Sequence, residues 1–151
     1  MMDLNNVDEK MLLPILKQIP LFSALDENSH MEIIKHIILM YYPENYEIFK
    51  ENDVGDALYI IKRGSVKIFH TSKNEDDKET EVALIQNNGF FGEMALISDV
   101  PRNASAKTTS ESEIFILSKD DFKKLLDTNQ TLAEQVSATV VARIKDNEYK
   151  N

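Results

Sequence analysis

Residues 90–106 read FFGEMALISDVPRNASA. The stretch joins a Gly-Glu pair, a short apolar run and, nine residues after the glutamate, an arginine that follows a proline. Gly92 lets the backbone turn tightly or come close to a ligand. Met94, Ala95, Leu96 and Ile97 suit one or two helical turns. The first amides of such a turn face whatever precedes it and favour an anion. Glu93 is a fixed acceptor and Arg102 a forked cation. A ligand carrying a hydroxyl and a phosphate satisfies both.

Outward from this stretch, the chain has 151 residues, enough for one domain that buries about 68–70% of its unfolded surface. Hydrophobic content of 42% with 28% charged residues is ordinary globular composition. A net charge of -9 argues against a nucleic-acid surface, which needs cations on phosphates. There is no cysteine, so thiol catalysis, disulfides and cysteine metal sites are excluded. That composition fits the cytoplasm. No apolar run reaches the ~18 residues of a membrane span, and the acidic start is not a signal peptide.

Residues 3–19 carry Leu4, Val7, Met11, Leu12, Ile15, Leu16 and Ile19 at spacings of three and four. This predicts an amphipathic helix that starts near Pro14 or kinks there, and that Pro20 ends. Residues 26–38 predict a second helix with Met31, Ile34 and Ile38 on one side. From Leu39 the period changes. Segments 39–42, 46–50, 58–62, 65–71, 81–86, 103–109 and 113–117 are short, rich in β-branched and aromatic residues, and separated by turn residues. Seven or eight such strands predict a jelly-roll barrel or sandwich. Arg63-Gly64 reads as a hairpin turn. Residues 72–79, SKNEDDKE, are polar throughout and read as a solvated hairpin loop without the spacing of a calcium loop.

Asn45, Asn52 and Asn88 stand at turn positions, where asparagine tolerates left-handed backbone better than any residue but glycine. Ser118-x-x-Asp121 predicts a capped helix containing Phe122, Leu125 and Leu126. A further helix starts at Asn129 or Thr131, with Thr131-x-x-Glu134 as a capping box. Leu132, Val136, Val140 and Ile144 form its stripe, and residues 146–151 read as a frayed end. The three histidines, His30, His36 and His70, are scattered, so no metal site is expected. No Ser-His-Asp arrangement is evident.

The pattern Phe91-Gly92-Glu93-Met94-Ala95-Leu96, then Pro101-Arg102-Asn103-Ala104-Ser105-Ala106, closely resembles the phosphate-binding cassette of the cyclic nucleotide-binding domain family. That family includes catabolite activator proteins, protein kinase A regulatory subunits and cyclic nucleotide-gated channels. Residues 53–61, DVGDALYII, and Pro20-Leu21-Phe22 resemble further family signatures. The resemblance spans about residues 19–144.

It implies a mainly β, α+β fold: a jelly-roll barrel with N-terminal helices and C-terminal lid helices. The expected segments are 1–38 (helical), 39–118 (β-roll, with the cassette at 90–106) and 119–147 (lid helices), one domain overall. The resemblance assigns ligand contact to Phe91, Gly92, Glu93, Met94, Ala95, Arg102, Asn103 and Ala104; Arg143 of the lid helix matches an arginine that contacts the base in some channel domains, or is a solvated arginine at a helix C-terminus. Arg102 binds the cyclic phosphate and Glu93 the ribose 2′-hydroxyl. The plainer readings are an arginine in a surface ion pair and an acid near a helix start. Position 103 is Thr or Ser in several relatives that prefer cGMP and Ala in kinase A-like sites, so Asn103 leaves the base open.

The expected ligand is cAMP, with cGMP second, and no cofactor, metal or catalytic residue is implied. The expected role is a non-enzymatic sensor, stand-alone or part of something larger. Its partner is the cyclic nucleotide, with a homodimer or a separate effector protein receiving the signal. The competing expectation is a jelly-roll protein-interaction module that has lost nucleotide binding.

Overall fold

The change of period near Leu39 is where the strands begin. The computed structural model describes residues 6–72, 76 and 78–150; the side chains of residues 6, 7 and 143–150 lie outside that description. Eight strands occur among the described residues: β1 Ile38–Tyr42, β2 Glu47–Phe49, β3 Ala57–Arg63, β4 Val66–Thr71, β5 Glu79–Ile85, β6 Phe90–Phe91, β7 Ser105–Thr108 and β8 Ser112–Ser118. They form two antiparallel four-stranded sheets, ordered β1-β8-β3-β6 and β2-β7-β4-β5. Together they are the two sheets of a jelly roll, in an α+β fold with helices at both ends of the chain.

Alternation sets the core of the roll. Ala57, Tyr59 and Ile61 of β3 share one face and cluster with Val66, Ala106 and Ile114. Ile61, Val66 and Ile114, buried there, contribute about 1.5–3 kcal/mol each.

One turn differs from expectation. Arg63-Gly64 does not close a hairpin, because β3 pairs with β6 and β8 while β4 pairs with β5 and β7. The turn carries the chain from one sheet to the other. Gly64 has φ 118°, and a Cβ there would fall 2.1 Å from Ser112 Oγ. The polar loop does close a hairpin, with Thr71 opposite Glu79, although residues 73–75 and 77 lie outside the described residues. β6, two residues long, is too short for periodicity to reveal.

The described residues form two compact units, the roll, Ile38–Lys119, and a helical unit made of residues 6–37 and 120–150. In the helical unit, α1 is Asn6–Leu16 and runs through Pro14. Proline removes one helical hydrogen bond there, yet Leu12, Ile15 and Leu16 on either side are buried and hold the turn in place. α2 is Glu27–Ile34, capped by Asp26, whose carboxylate accepts from Ser29 N at 2.8 Å. It ends one turn earlier than expected: Ile38 starts β1, and the buried face is Ser29, His30, Ile33 and Ile34.

α3 is Lys119–Thr128, burying Phe122 and Leu125, and Phe122 packs on Phe22 at 5.8 Å. α4 is Gln130–Lys150. Its cap is Asn129, which accepts from Leu132 N at 3.0 Å, not the Thr131 box; Glu134 instead accepts from Gln130. Leu132 and Val136 are buried as the stripe predicts, and the helix continues to Lys150 where a frayed end was expected. No helix among the described residues is long and apolar enough to cross a membrane.

The three asparagines are in the left-handed region, with φ of 63° at Asn45, 76° at Asn52 and 69° at Asn88. A Cβ-bearing residue without a locally bonding side chain costs about 1–2 kcal/mol in that conformation. Asn52→Ala is therefore expected to lower the unfolding free energy by about that amount in urea titration, with Asn52→Gly at or above the wild-type value.

Candidate functional site

Two segments of the roll build the site. The first is the β2–β3 loop, residues 50–56. It is closed on itself by Asp53, whose N–H donates to Lys50 O at 3.0 Å and whose carboxylate accepts from Lys50 N at 2.9 Å. The second is the cassette. β6 lies against β3 with Phe91 opposite Tyr59. Gly92 then turns left-handed, φ 84° and ψ 16°, into one 3-10 turn, Glu93–Leu96. That turn is anchored by burial of Ala95 and Leu96. Beyond it, Lys119 Nζ donates to Ser98 O at 3.0 Å and pairs with Asp99, which fixes the outer bend.

The loop grips the cassette at Arg102. Asn52 N donates to Arg102 O and Arg102 N donates to Asp53 O, each at 2.7 Å, and Val54 bridges Pro101. The backbone of Arg102 is therefore held on both sides before its side chain is considered.

That side chain is half-buried. Nη2 donates to Ala57 O at 2.9 Å, and Cζ sits 4.2 Å from the Phe49 ring centre and 5.8 Å from that of Tyr59. Two glycines make room for it. A Cβ on Gly55 would lie 3.3 Å from Arg102 Cζ, and one on Gly92 2.7 Å from Nη1. Arg102 Nε is buried without a hydrogen-bond partner among the described residues. Burial is the main influence on the guanidinium and pushes its pKa down, against Tyr59, Asp56 and Asp53, which favour the charged form. Burial likewise raises the Tyr59 phenol from 10.0 to about 12. Arginine stays protonated in proteins, so desolvation here costs free energy without removing the charge.

A pocket of about 410 Å³ opens in front of these groups, within the usual range for small-molecule sites. It is lined by Gly92, Glu93, Met94, Ala95, Ser98, Val100, Pro101, Arg102 and Asn103. Six sequence-predicted residues thus meet at one surface: Gly92, Glu93, Met94, Ala95, Arg102 and Asn103. Phe91 and Ala104 are not in the lining. Phe91 packs inward, stacked on Tyr59 at 5.1 Å, and Ala104 is buried. Arg143 is on α4 in the helical unit, and its side chain lies outside the described residues. Asn103 is exposed.

Ser98 and Val100 line the pocket without having been singled out, and Pro101, quoted as part of the cassette, lines it without having been assigned a contact. Phe49, Gly55 and the Ala57 carbonyl, which seat Arg102, were also missed. Gly55 stands inside a quoted signature. Phe49 carries no signal beyond that of a strand apolar residue.

The cyclic nucleotide-binding domain profile matches residues 39–129. The chain belongs to the cyclic nucleotide-binding domain family. The cyclic AMP receptor protein of Thermus thermophilus is 28% identical over 131 residues, 87% of this chain and 60% of that protein. A cAMP-dependent protein kinase regulatory subunit of Emericella nidulans is 32% identical over 117 residues, 78% of this chain and 27% of the subunit. The chain thus spans less than two thirds of the length of either relative.

Among solved structures, the N-terminal domain of a transcriptional regulator from Streptomyces coelicolor superposes with TM-score 0.77 at 26% identity, covering 90% of this chain and 94% of that one. The regulatory domain of Toxoplasma gondii PKA with cAMP gives 0.72 at 26% identity, covering 82% and 46%.

The Gly55 contacts generate an expectation. A Cβ at that position would stand 2.8 Å from Ala95 Cβ as well as 3.3 Å from Arg102. Gly55→Ala should therefore destabilise the roll by about 1–3 kcal/mol, the usual cost of overpacking, read as a lower urea midpoint.

Proposed function

We propose that the chain is a regulatory module that binds a 3′,5′-cyclic nucleotide, cAMP in preference to cGMP, and turns over no substrate. The observation that carries this reading is the pairing of Glu93 and Arg102 in the lining of one pocket. Such a pair addresses the two ends of a cyclic sugar-phosphate. A planar fork suits two exocyclic phosphate oxygens, and a carboxylate accepts from the free 2′-hydroxyl. The preference for cAMP is supported by the names of the relatives: a cyclic AMP receptor protein, cAMP-dependent kinase subunits and a kinase regulatory domain with cAMP.

In this reading Gly92, Ala95 and Ala104 permit close approach of the backbone. Phe91 and Met94 flank the turn. Asn103 and, from the lid helix, Arg143 are the base-side residues. The segments 1–38, 39–118 and 119–147 work as one domain. Phosphate capture orders the cassette and favours closure of the C-terminal helices over the base. The ligand shifts that equilibrium only by its differential affinity for the closed state. The module acts in the cytoplasm, and a second copy or a separate effector protein receives the signal.

Isothermal titration with cAMP and cGMP tests the reading. Binding of either supports it; silence with both favours a protein-interaction module. Arg102→Ala is expected to weaken binding by about 2–5 kcal/mol, the usual cost of removing one partner from a buried charged pair. An unchanged dissociation constant would remove Arg102 from the site. Asn103→Thr is expected to move the cAMP/cGMP ratio towards cGMP, and a ratio that stays put shows that position 103 does not read the base.

A further inference from the structure

We propose that Phe49 is a positioning residue for anion capture: its ring holds the Arg102 guanidinium at the place from which it meets the phosphate. The proposal rests on the cyclic-nucleotide reading for its ligand and on geometry for its mechanism.

Phe49 is the last residue of β2, opposite Ala106 of β7. Its ring centre is 4.2 Å from Arg102 Cζ, well inside the ~6 Å reach of a cation–π contact. Such contacts strengthen when the cation is desolvated, and burial is the main influence on this one. The ring is itself braced. It meets Tyr59 at 5.9 Å and Phe91 at 6.0 Å, and those two rings stack on each other with 14° between their planes. Nη2 is tied to the Ala57 carbonyl, so ring and carbonyl together fix the fork.

What makes the contact specific is that a half-buried strand position does not by itself require an aromatic residue. A leucine or isoleucine would satisfy a half-buried strand position as well. Only the ring offers a cation an attractive face. Seating the fork in advance also removes part of the ordering cost that a long, flexible side chain otherwise meets on binding. Phe49 therefore acts through Arg102 and has no need to touch the nucleotide.

The test uses the full chain with Phe49→Leu and Phe49→Tyr. Calorimetric titration with cAMP and with cGMP gives affinities, and the Arg102 Nε–H resonance, assigned by its loss in Arg102→Lys, reports the seat without ligand. The expected result is an affinity loss of about 5- to 30-fold in Phe49→Leu and near-wild-type binding in Phe49→Tyr. The resonance should be ring-shifted in the wild type and Phe49→Tyr and unshifted in Phe49→Leu, with the amide spectrum of the helical unit unchanged. Wild-type affinity and an unmoved resonance in Phe49→Leu would overturn the proposal. Equal losses in both variants with the resonance in place would do so too, by assigning the effect to packing. Were the wild type to bind neither nucleotide, the ligand reading would fall, and the resonance alone would decide whether Phe49 seats the fork.

Discussion

A guanidinium taken half out of water, and held there by a carbonyl, two rings and two glycines, is the constraint around which the roll is arranged. Desolvation disfavours its charge, and arginine has no neutral form to escape to. The surroundings must therefore supply the compensation. Ala57 O does so from β3, Phe49 from β2 and Tyr59 from β3. The backbone of the same residue is gripped by the loop between those two strands. Asp56 and Asp53 add to that compensation by favouring the charged form.

Several features of this arrangement are legible in the sequence because they are local. The cassette is contiguous, so Glu93 and Arg102 can be read together from one stretch. Asn45, Asn52 and Asn88 announce left-handed turns by residue type, and all three have positive φ. Strand pairing is different. Gly64 marks a turn but cannot say which sheet follows it, and the chain there changes sheets. Pro14 predicts a helix that starts near it or kinks there; α1 starts at Asn6 and runs through it, with buried residues on either side. Ile38 falls one helical turn after Ile34, so a stripe reading extends α2 into β1. Asn129 and Thr131 both suit a cap; only the structure shows that Asn129 makes the bond. The seat of Arg102 was the least legible part. It uses a backbone carbonyl, which has no sequence signature, and a ring from a strand more than fifty residues away.

The helical unit has a polar fastening of its own. Gln135 on α4 donates to the Asp26 carboxylate at 2.8 Å and accepts from Ser29 Oγ at 2.8 Å. One amide side chain thus completes the cap of α2 while tying α4 to it. The Gln135 bond is the largest influence holding the Asp26 carboxyl below its ordinary pKa. His30, buried on α2, bonds Phe22 O at 2.8 Å through Nε2, which fixes the loop before the cap.

The carbonyl that holds Arg102 belongs to Ala57; the carbonyl of the preceding residue, Asp56, accepts from Lys119 N at 2.8 Å, the first amide of α3. Two consecutive peptide planes thus carry two loads, the pocket-lining arginine on one and the first amide of α3 on the other. Peptide planes are rigid and turn only about the torsions between them. Between these two planes there is a single pair of such torsions, at Ala57. In mechanical terms Ala57 is a one-residue hinge pin between the carbonyl that seats Arg102 and the carbonyl that receives the Lys119 amide.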